Sequence, residues 1–349
     1  MASAQAYFLV KNGVSSQAFQ LREIPEPLAA PDEAVIDVEA SGLNFADVMA
    51  RQGHYQDAPP IPCVIGYEVV GRIRSLGKTL AAEGKFRVGS RVVAFTRFGG
   101  YASRIAVSGF AIAEIPDSMD AATATALATQ GCTAYFAVEE MVRVHAGDRV
   151  LVQAAAGGVG SLLIQLLKRR GAVVFGTAGS EAKLKLLKEC GVDYPIGYRT
   201  QEFDVAVREI LKTRGEEGLD VVFDAVGGSH VKRGMGLLRA GGRLVCYGAA
   251  QMSGDTKNPV RMLKTAAGFG FIHYIPLMMS SRSVIGINML KVADQRPEVM
   301  GRCLREVVAL AVKGELKPWP AKSFPVREIA QAHDLLASRE SSGKVALIW

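Results

Sequence analysis

The segment VLVQAAAGGVGSLLIQLL (150–167) constrains this 349-residue chain more than any other. An apolar, β-branched run stops at a cluster of alanines and glycines, and a helix-forming run begins near Val159. When more strand–turn–helix units follow, the sheet must be parallel, because parallel neighbours need a crossover between them. They do follow. Strands are expected at RVLVQAA (149–155), AVVFGTA (172–178), DYPIGY (193–198), LDVVFDAV (219–226), GRLVCYGA (242–249) and SVIGINM (283–289). Helices are expected between them, in VGSLLIQLLKRR, SEAKLKLLKEC, TQEFDVAVREILKTR and SHVKRGMGLLRA. In SLLIQLLKRR apolar residues cover nearly the whole circumference, as in a helix laid on a sheet, and Lys168, Arg169 and Arg170 suit its C-terminal dipole.

The flanking regions read differently. AVIDVEASG (34–42), VVGRIRSLG (69–77) and SRVVAFTRFGG (90–100) are short runs closed by glycine, the punctuation of antiparallel sheet. DAATATALATQGCTAYFAVEE (120–140) reads as helix. From Pro297 to Trp349 the pattern is helix, extended segment, helix and a last strand, GKVALIW, expected to rejoin the first part.

Against the pattern G-x-G-x-x-G, the turn aligns Ala155, Gly157 and Gly160, with alanine in the first glycine position. Small residues let the backbone approach a pyrophosphate while the helix N-terminus presents its unpaired N–H groups. Ala156, Gly157, Gly158, Val159 and Gly160 are therefore candidate contacts, and the repeated βα context favours a dinucleotide over a plain structural turn. An Asp or Glu at the end of the second strand would select NAD through the adenosine ribose hydroxyls. Here the strand ends FGTAGSEAK (175–183), and no carboxylate occupies the tip itself, at Gly179 and Ser180. Gly179 leaves room, and Ser180 and Lys183 suit a 2′-phosphate, so NADPH is expected. The plain alternative is a serine helix cap followed by a solvated lysine.

Composition excludes several classes. The 41 Lys and Arg against 34 Asp and Glu leave a net charge of +7, but the basic residues are dispersed without a run of five, and no nucleic-acid module is recognisable. Five cysteines without C-x-x-C spacing fit a reduced compartment. No uncharged apolar run reaches the ~18 residues of a membrane span. MASAQAYFLVKNG does not read as a secretory signal, so a cytoplasmic location is expected.

The motifs G-L-N-F-A-D (42–47), M-A-R-Q-G (49–53), A-A-A-G-G-V-G (154–160), F-G-T-A-G-S-E-A-K and S-G-K-V-A-L (342–347), in this order, resemble the medium-chain dehydrogenase/reductase superfamily. Within it the chain is most similar to zinc-free quinone oxidoreductases, in particular the vesicle amine transport protein-like branch. The resemblance implies an α/β architecture in which a GroES-like, partly open β-barrel domain (1–122 and 290–349) accompanies a Rossmann doubly wound parallel-sheet domain (123–289), with the active site in the cleft. It also implies a homodimer joined through Rossmann edge strands, with SVIGINM as the candidate. Zinc enzymes of the superfamily carry Cys, His and Cys where this chain has Asn44, Tyr67 and Thr129, so no metal is expected here. Cys63 and Cys132 are read as isolated buried thiols.

A quinone or α,β-unsaturated carbonyl accepts hydride directly into its conjugated system, so orientation and a hydrogen-bond donor suffice. Asn44, Tyr55 and Tyr67 are the candidate catalytic residues, and Thr129 is a further candidate donor. By resemblance Asn44 and Tyr55 lie near the nicotinamide, Thr129 and Thr133 near its ribose and phosphates, and Tyr198 against the adenosine side. Gly248, Asn288 and Lys344 are the later cofactor positions the resemblance implies. The bland alternatives are Asn44 as a turn residue, Tyr67 as a core aromatic and Lys344 as an exposed charge. Asp47 and Glu68 read as barrel carboxylates satisfied by backbone amides rather than as a general-acid pair. His54 is the only histidine expected near the cleft. A competing function is a low-turnover NADPH-binding adaptor, with AAGFGFIHYIPLMMSSRS (266–283) docking a membrane or partner. Peripheral membrane contact is the less favoured reading, since the same stretch suits a lid or dimer element.

Overall fold

A computed structural model describes residues 3–250 and 273–349. The chain divides into two compact units, Met1–Cys132 with Met289–Trp349, and Thr133–Asn288. The first seven residues of the stretch 266–283 lie outside the described residues.

In the second unit all six expected strands form. They are β8 (Arg149–Val152), β9 (Val173–Ala178), β10 (Tyr194–Gly197), β11 (Leu219–Asp224), β12 (Leu238–Cys246) and β13 (Ser283–Gly286), every pairing parallel, in the order β10-β9-β8-β11-β12-β13. The order reverses direction beside β8, the switch point at which open parallel sheets bind ligands beyond their carboxyl ends. Leu151, Phe175, Val222 and Leu244 are buried with Val207 and Leu211 of the helix Phe203–Thr213 in one core. The helix expected over 229–240 stops at Met235, and Leu238 instead opens β12 by pairing with Leu219. Local composition suits either state, and the open edge of β11 decided it.

In the first unit the described strands are β1 (Ala4–Leu9), β2 (Phe19–Ile24), β3 (Glu33–Leu43), β4 (Glu68–Leu76), β5 (Arg91–Phe95), β6 (Arg104–Ser108), β7 (Ile112–Glu114), β14 (Lys322–Pro325) and β15 (Val345–Ile348). A seven-stranded sheet runs β14-β15-β3-β4-β5-β7, with β6 also on β3, the strands of a GroES-like barrel. The final strand rejoins the first part as expected, with Val345 opposite Leu43 and Ala346 opposite Gly42. That register carries Lys344 to the end of β3. The strand expected over 90–100 ends at Phe95, because Thr96 turns away to bond the carbonyls of Gly66 and Tyr67. The helix expected over 120–140 is broken into Ala121–Ala124, a 3-10 turn, Thr129–Tyr135 and a π-helical turn over Phe136–Val142. Ala128 leaves the helical region there, at ψ −85°.

Candidate functional site

In the second unit the phosphate turn is built as its residues suggest. β8 ends at Val152 and the helix Gly158–Arg169 starts six residues later, with Gly157 as its cap. The turn is tied to β9, since the N–H groups of Ala154 and Ala155 donate to Thr177 Oγ1 (3.1 Å) and Thr177 O (2.9 Å). The left-handed step falls on Ala154 (φ +50°), one residue before the position aligned with the first glycine. A non-glycine residue holds that conformation at a cost on the order of 1 kcal/mol. A Cβ on Gly160 would lie 2.5 Å from Ala154 O and 2.7 Å from Ala155 O, so only glycine fits. Gly157, Gly158 and Val159 are half-buried, and the first N–H groups of any helix lack an intrahelical partner. The turn therefore offers donors and a positive dipole end to an anion.

At the tip of β9, Ser180 caps the helix Glu181–Glu189 by accepting from the Lys183 N–H at 3.4 Å. Tyr198 folds back over the tip. Its N–H bonds Ala178 O (3.1 Å), and its hydroxyl occupies the space a Gly179 side chain would need. Gly179, Ser180, Lys183 and Tyr198 thus meet at one place. Gly248, just past β12, has no room for a side chain, since a Cβ would lie 2.7 Å from Ala225 O. Asn288 is exposed two residues beyond β13. Both follow the same carboxyl edge of the sheet. Thr133 is buried on the helix Thr129–Tyr135. Two groups at this edge were not singled out by sequence. Asp224, at the end of β11, is buried and accepts from the N–H groups of Val226 (2.6 Å) and Gly227 (3.0 Å), and burial raises its pKa. Gln153 bonds His230 Nδ1 at 2.8 Å. The turn signal in F-D-A-V-G-G marked the first, whereas nothing local marked the second.

The first unit holds a buried polar cluster. Asn44 follows β3, caps the helix Phe45–Arg51 and forms a reciprocal box with Asp47, whose Oδ2 accepts the Asn44 N–H at 2.8 Å. The Asn44 side chain is held at both ends, with Nδ2 donating to Glu68 Oε1 (2.7 Å) and Oδ1 accepting from Lys344 Nζ (3.0 Å). Lys344 and Glu68 form an ion pair with both side chains fully buried. Gly42 is required beside them, since a Cβ there would strike Glu68 and Lys344. Lys344 is therefore not an exposed charge. Glu68 is held through Oε1 by side chains rather than by backbone amides, which corrects that expectation, and its buried Oε2 has no hydrogen-bond partner among the described residues. Thr129 Oγ1 points to Tyr67 O at 3.5 Å, so the positions of Asn44, Tyr67 and Thr129 converge around residues 67 and 68.

Tyr67 is buried, and its hydroxyl has no hydrogen-bond partner among the described residues. The rings of Tyr55 and Tyr67 meet edge to face at 6.1 Å. Burial pushes the Tyr55 hydroxyl up to about 12, with help from Asp57 and Asp47, and burial raises Tyr67 further. Burial and the Glu68 charge push Asp47 up to about 8, against the pull of the Asn44 N–H and Lys344. His333 is not a simple helix residue. It is buried, its Nε2 lies 3.3 Å from the Tyr101 hydroxyl, and burial beside Arg51 lowers it to about 3. Cys63 and Cys132 are buried thiols as expected. Among the described residues no group of three or more His, Cys, Asp or Glu is placed to hold a metal ion, and none of the helices is long and apolar enough to cross a membrane.

Comparison with known proteins agrees with this architecture. Residues 30–138 match the alcohol dehydrogenase GroES-like domain, and residues 158–305 match the zinc-binding dehydrogenase family. The human synaptic vesicle membrane protein VAT-1 homolog is 32% identical over 96% of this chain and 84% of its own length. The CurK enoyl reductase structure is 25% identical with a TM-score of 0.85, covering 99% of both chains. The Escherichia coli quinone oxidoreductase, solved in complex with NADPH, is 25% identical with a TM-score of 0.84 over 99% of this chain and 100% of that one. A GroES-like sheet rejoined by the chain's last strand, a parallel sheet with a glycine turn at its switch point and these likenesses together make the chain a member of the medium-chain dehydrogenase/reductase superfamily of oxidoreductases, akin to the VAT-1 homologues and the quinone oxidoreductases.

Proposed function

We propose that this protein is an NADPH-dependent oxidoreductase that passes hydride to quinones or α,β-unsaturated carbonyls without a metal ion. The observation that carries the reading is the chemistry at Asn44, Tyr67 and Thr129, which offers an amide, a phenol and a hydroxyl where a zinc site needs thiolates and imidazole. Such a set cannot polarise a simple carbonyl as a Lewis acid does, but it can hydrogen-bond the oxygen of a conjugated acceptor. Bound NADPH supplies the hydride at C4 of its nicotinamide. Gly157, Gly158 and Val159 present N–H groups to its pyrophosphate, and Ser180, Lys183 and Tyr198 would receive the 2′-phosphate. The carboxylate-free tip of β9 supports NADPH over NADH, as does the NADPH complex of the Escherichia coli neighbour.

The assay is NADPH consumption against a panel of quinones such as 9,10-phenanthrenequinone and 2-alkenals, with Gly157→Asp as control. Its carboxylate repels the pyrophosphate and abolishes turnover. Stoichiometric zinc in the purified protein, or no affinity for NADPH, would overturn the reading.

Among the described residues β13 ends the strand order of its sheet, which supports pairing with a second copy of the chain, since an open sheet edge invites association. One observation favours a low-turnover adaptor instead. In the helix Tyr274–Ser280 no residue is buried, and Tyr274, Met278 and Met279 are exposed. Flotation with anionic vesicles tests that alternative, and it falls if the protein stays in solution.

A further inference from the structure

Three aromatic rings stand in a row beside the polar cluster of the first unit. Tyr67, the middle one, is buried. Tyr55 meets it edge to face at 6.1 Å, and Phe98 lies 5.4 Å away with its plane tilted by 53°. Tyr55 and Phe98 are half-buried, so part of each ring stays open. Phe98 rides on a loop tied to the segment of Tyr67, where the Thr96 N–H donates to Tyr67 O (2.8 Å) and the Gly99 N–H to Val64 O (3.0 Å). The Arg97 guanidinium lies over the Phe98 ring, 5.3 Å from its centroid. Arg97 is itself held in a fork, with Nε and Nη2 donating to Asp294 Oδ1 and Oδ2 at 2.7 and 3.1 Å. Asp294 belongs to the helix Met289–Gln295, which is anchored by buried Met289, Leu290 and Ala293. One turn earlier on the same helix face, Lys291 Nζ pairs with Asp57 Oδ1 at 3.1 Å, two residues past Tyr55. One fixed helix thus grips the two loops that flank Tyr67.

We propose that Phe98, with Tyr55, binds the ring system of a planar aromatic acceptor, and that Asp294 is a positioning residue that sets Phe98 through Arg97. The inference rests on the quinone and enone reading above and narrows it to aromatic quinones. Aromatic rings attract one another beyond the area they bury, provided that their geometry is set. An alkenal has no ring and gains nothing from that term. A phenylalanine free to swing would lose much of the gain to the cost of ordering it, and the Arg97 fork removes that freedom before the acceptor arrives. The two ion pairs are partly exposed, and such pairs add little to stability. Their consequence lies in where the rings stand.

The test compares 9,10-phenanthrenequinone with a 2-alkenal, each with NADPH, in the parent and in Asp294→Ala. In the variant KM for the quinone is expected to rise about tenfold with kcat little changed, while neither constant for the alkenal moves. Asp294→Glu keeps a carboxylate for Arg97 and should restore most of the loss. Phe98→Leu should raise the same KM about tenfold, and adding Asp294→Ala to it should cost nothing more, because Asp294 acts through that ring. A merely structural role would lower the unfolding midpoint and harm both acceptors together, whereas the midpoint is expected to stay at the parent's value. An unchanged quinone KM in Asp294→Ala, equal losses for both acceptors, or losses that multiply in the double variant overturn the proposal. If the parent reduces neither acceptor, the functional reading falls and the inference with it. If the parent reduces the alkenal alone, or reduces both and Asp294→Ala discriminates between them as the parent does, the inference alone falls.

Discussion

The two units build their candidate sites from opposite materials. In the second unit the site is backbone. Glycines shape the turn 154–160, and the first N–H groups of its helix lack intrahelical partners. In the first unit it is side chains, with Asn44, Asp47, Glu68 and Lys344 drawn together from positions up to 300 residues apart and sealed from water. A backbone site tolerates changes of side-chain chemistry but no added volume. A buried side-chain site tolerates neither the loss of one partner nor a change in protonation.

Added volume is the hardest test of the first half of that contrast. Gly160→Val drives a side chain into the carbonyls of Ala154 and Ala155, and NADPH affinity, read by fluorescence titration, should drop more than about a hundredfold, worth ~2.7 kcal/mol or more. If affinity survives, the turn is not the cradle.

Removing one charge tests the second half. Lys344→Met leaves Glu68 buried without its partner and should destabilise the first unit by about 3–5 kcal/mol in denaturant unfolding. Adding Glu68→Gln to it should recover much of that loss, because the orphaned charge is gone. Equal destabilisation in the single and double variants would mean that packing, not charge, holds the pair.

Changing protonation is subtler. Asp47 binds its proton more tightly folded, at about 8, than unfolded, at 3.8. The folded state therefore holds the extra proton between those values, and stability is greatest below about pH 4 as far as this group is concerned. It declines as pH rises through that window and levels off above the folded value. Relaxation around the ionised carboxylate should limit the decline to on the order of 3 kcal/mol. Asp47→Asn should flatten it, and unfolding midpoints at pH 5 and pH 8.5 are the measurement. An unchanged decline in the variant would assign it elsewhere.

The smallest effect sharpens the contrast within the second unit, at the one place where side chains matter. Lys183→Ala should cost about 1.5–3 kcal/mol of NADPH affinity and leave NADH binding unaltered. Equal losses for both nucleotides would remove the 2′-phosphate from this tip.

The strands of the parallel sheet and the glycine turn were legible in the sequence, and the serine cap was there as the alternative to a phosphate contact, because each depends on residues within one or two turns of one another. Periodicity, glycine placement and capping are local physics, and Ser180 and Gly160 do what their neighbours require of them. Where local composition pointed to helix, as at Leu238 or across residues 120–140, the free edge of a neighbouring strand or the packing of the fold overrode it. The buried cluster could not be read in this way. Lys344 looks like a solvated charge until β15 pairs with β3 and places it against Glu68, and His333 like an ordinary helix residue until Tyr101 covers it. Burial and charge pairing belong to the assembled barrel. Desolvation and Coulomb energy depend on distances in space, and those exist only once the two ends of the chain have met.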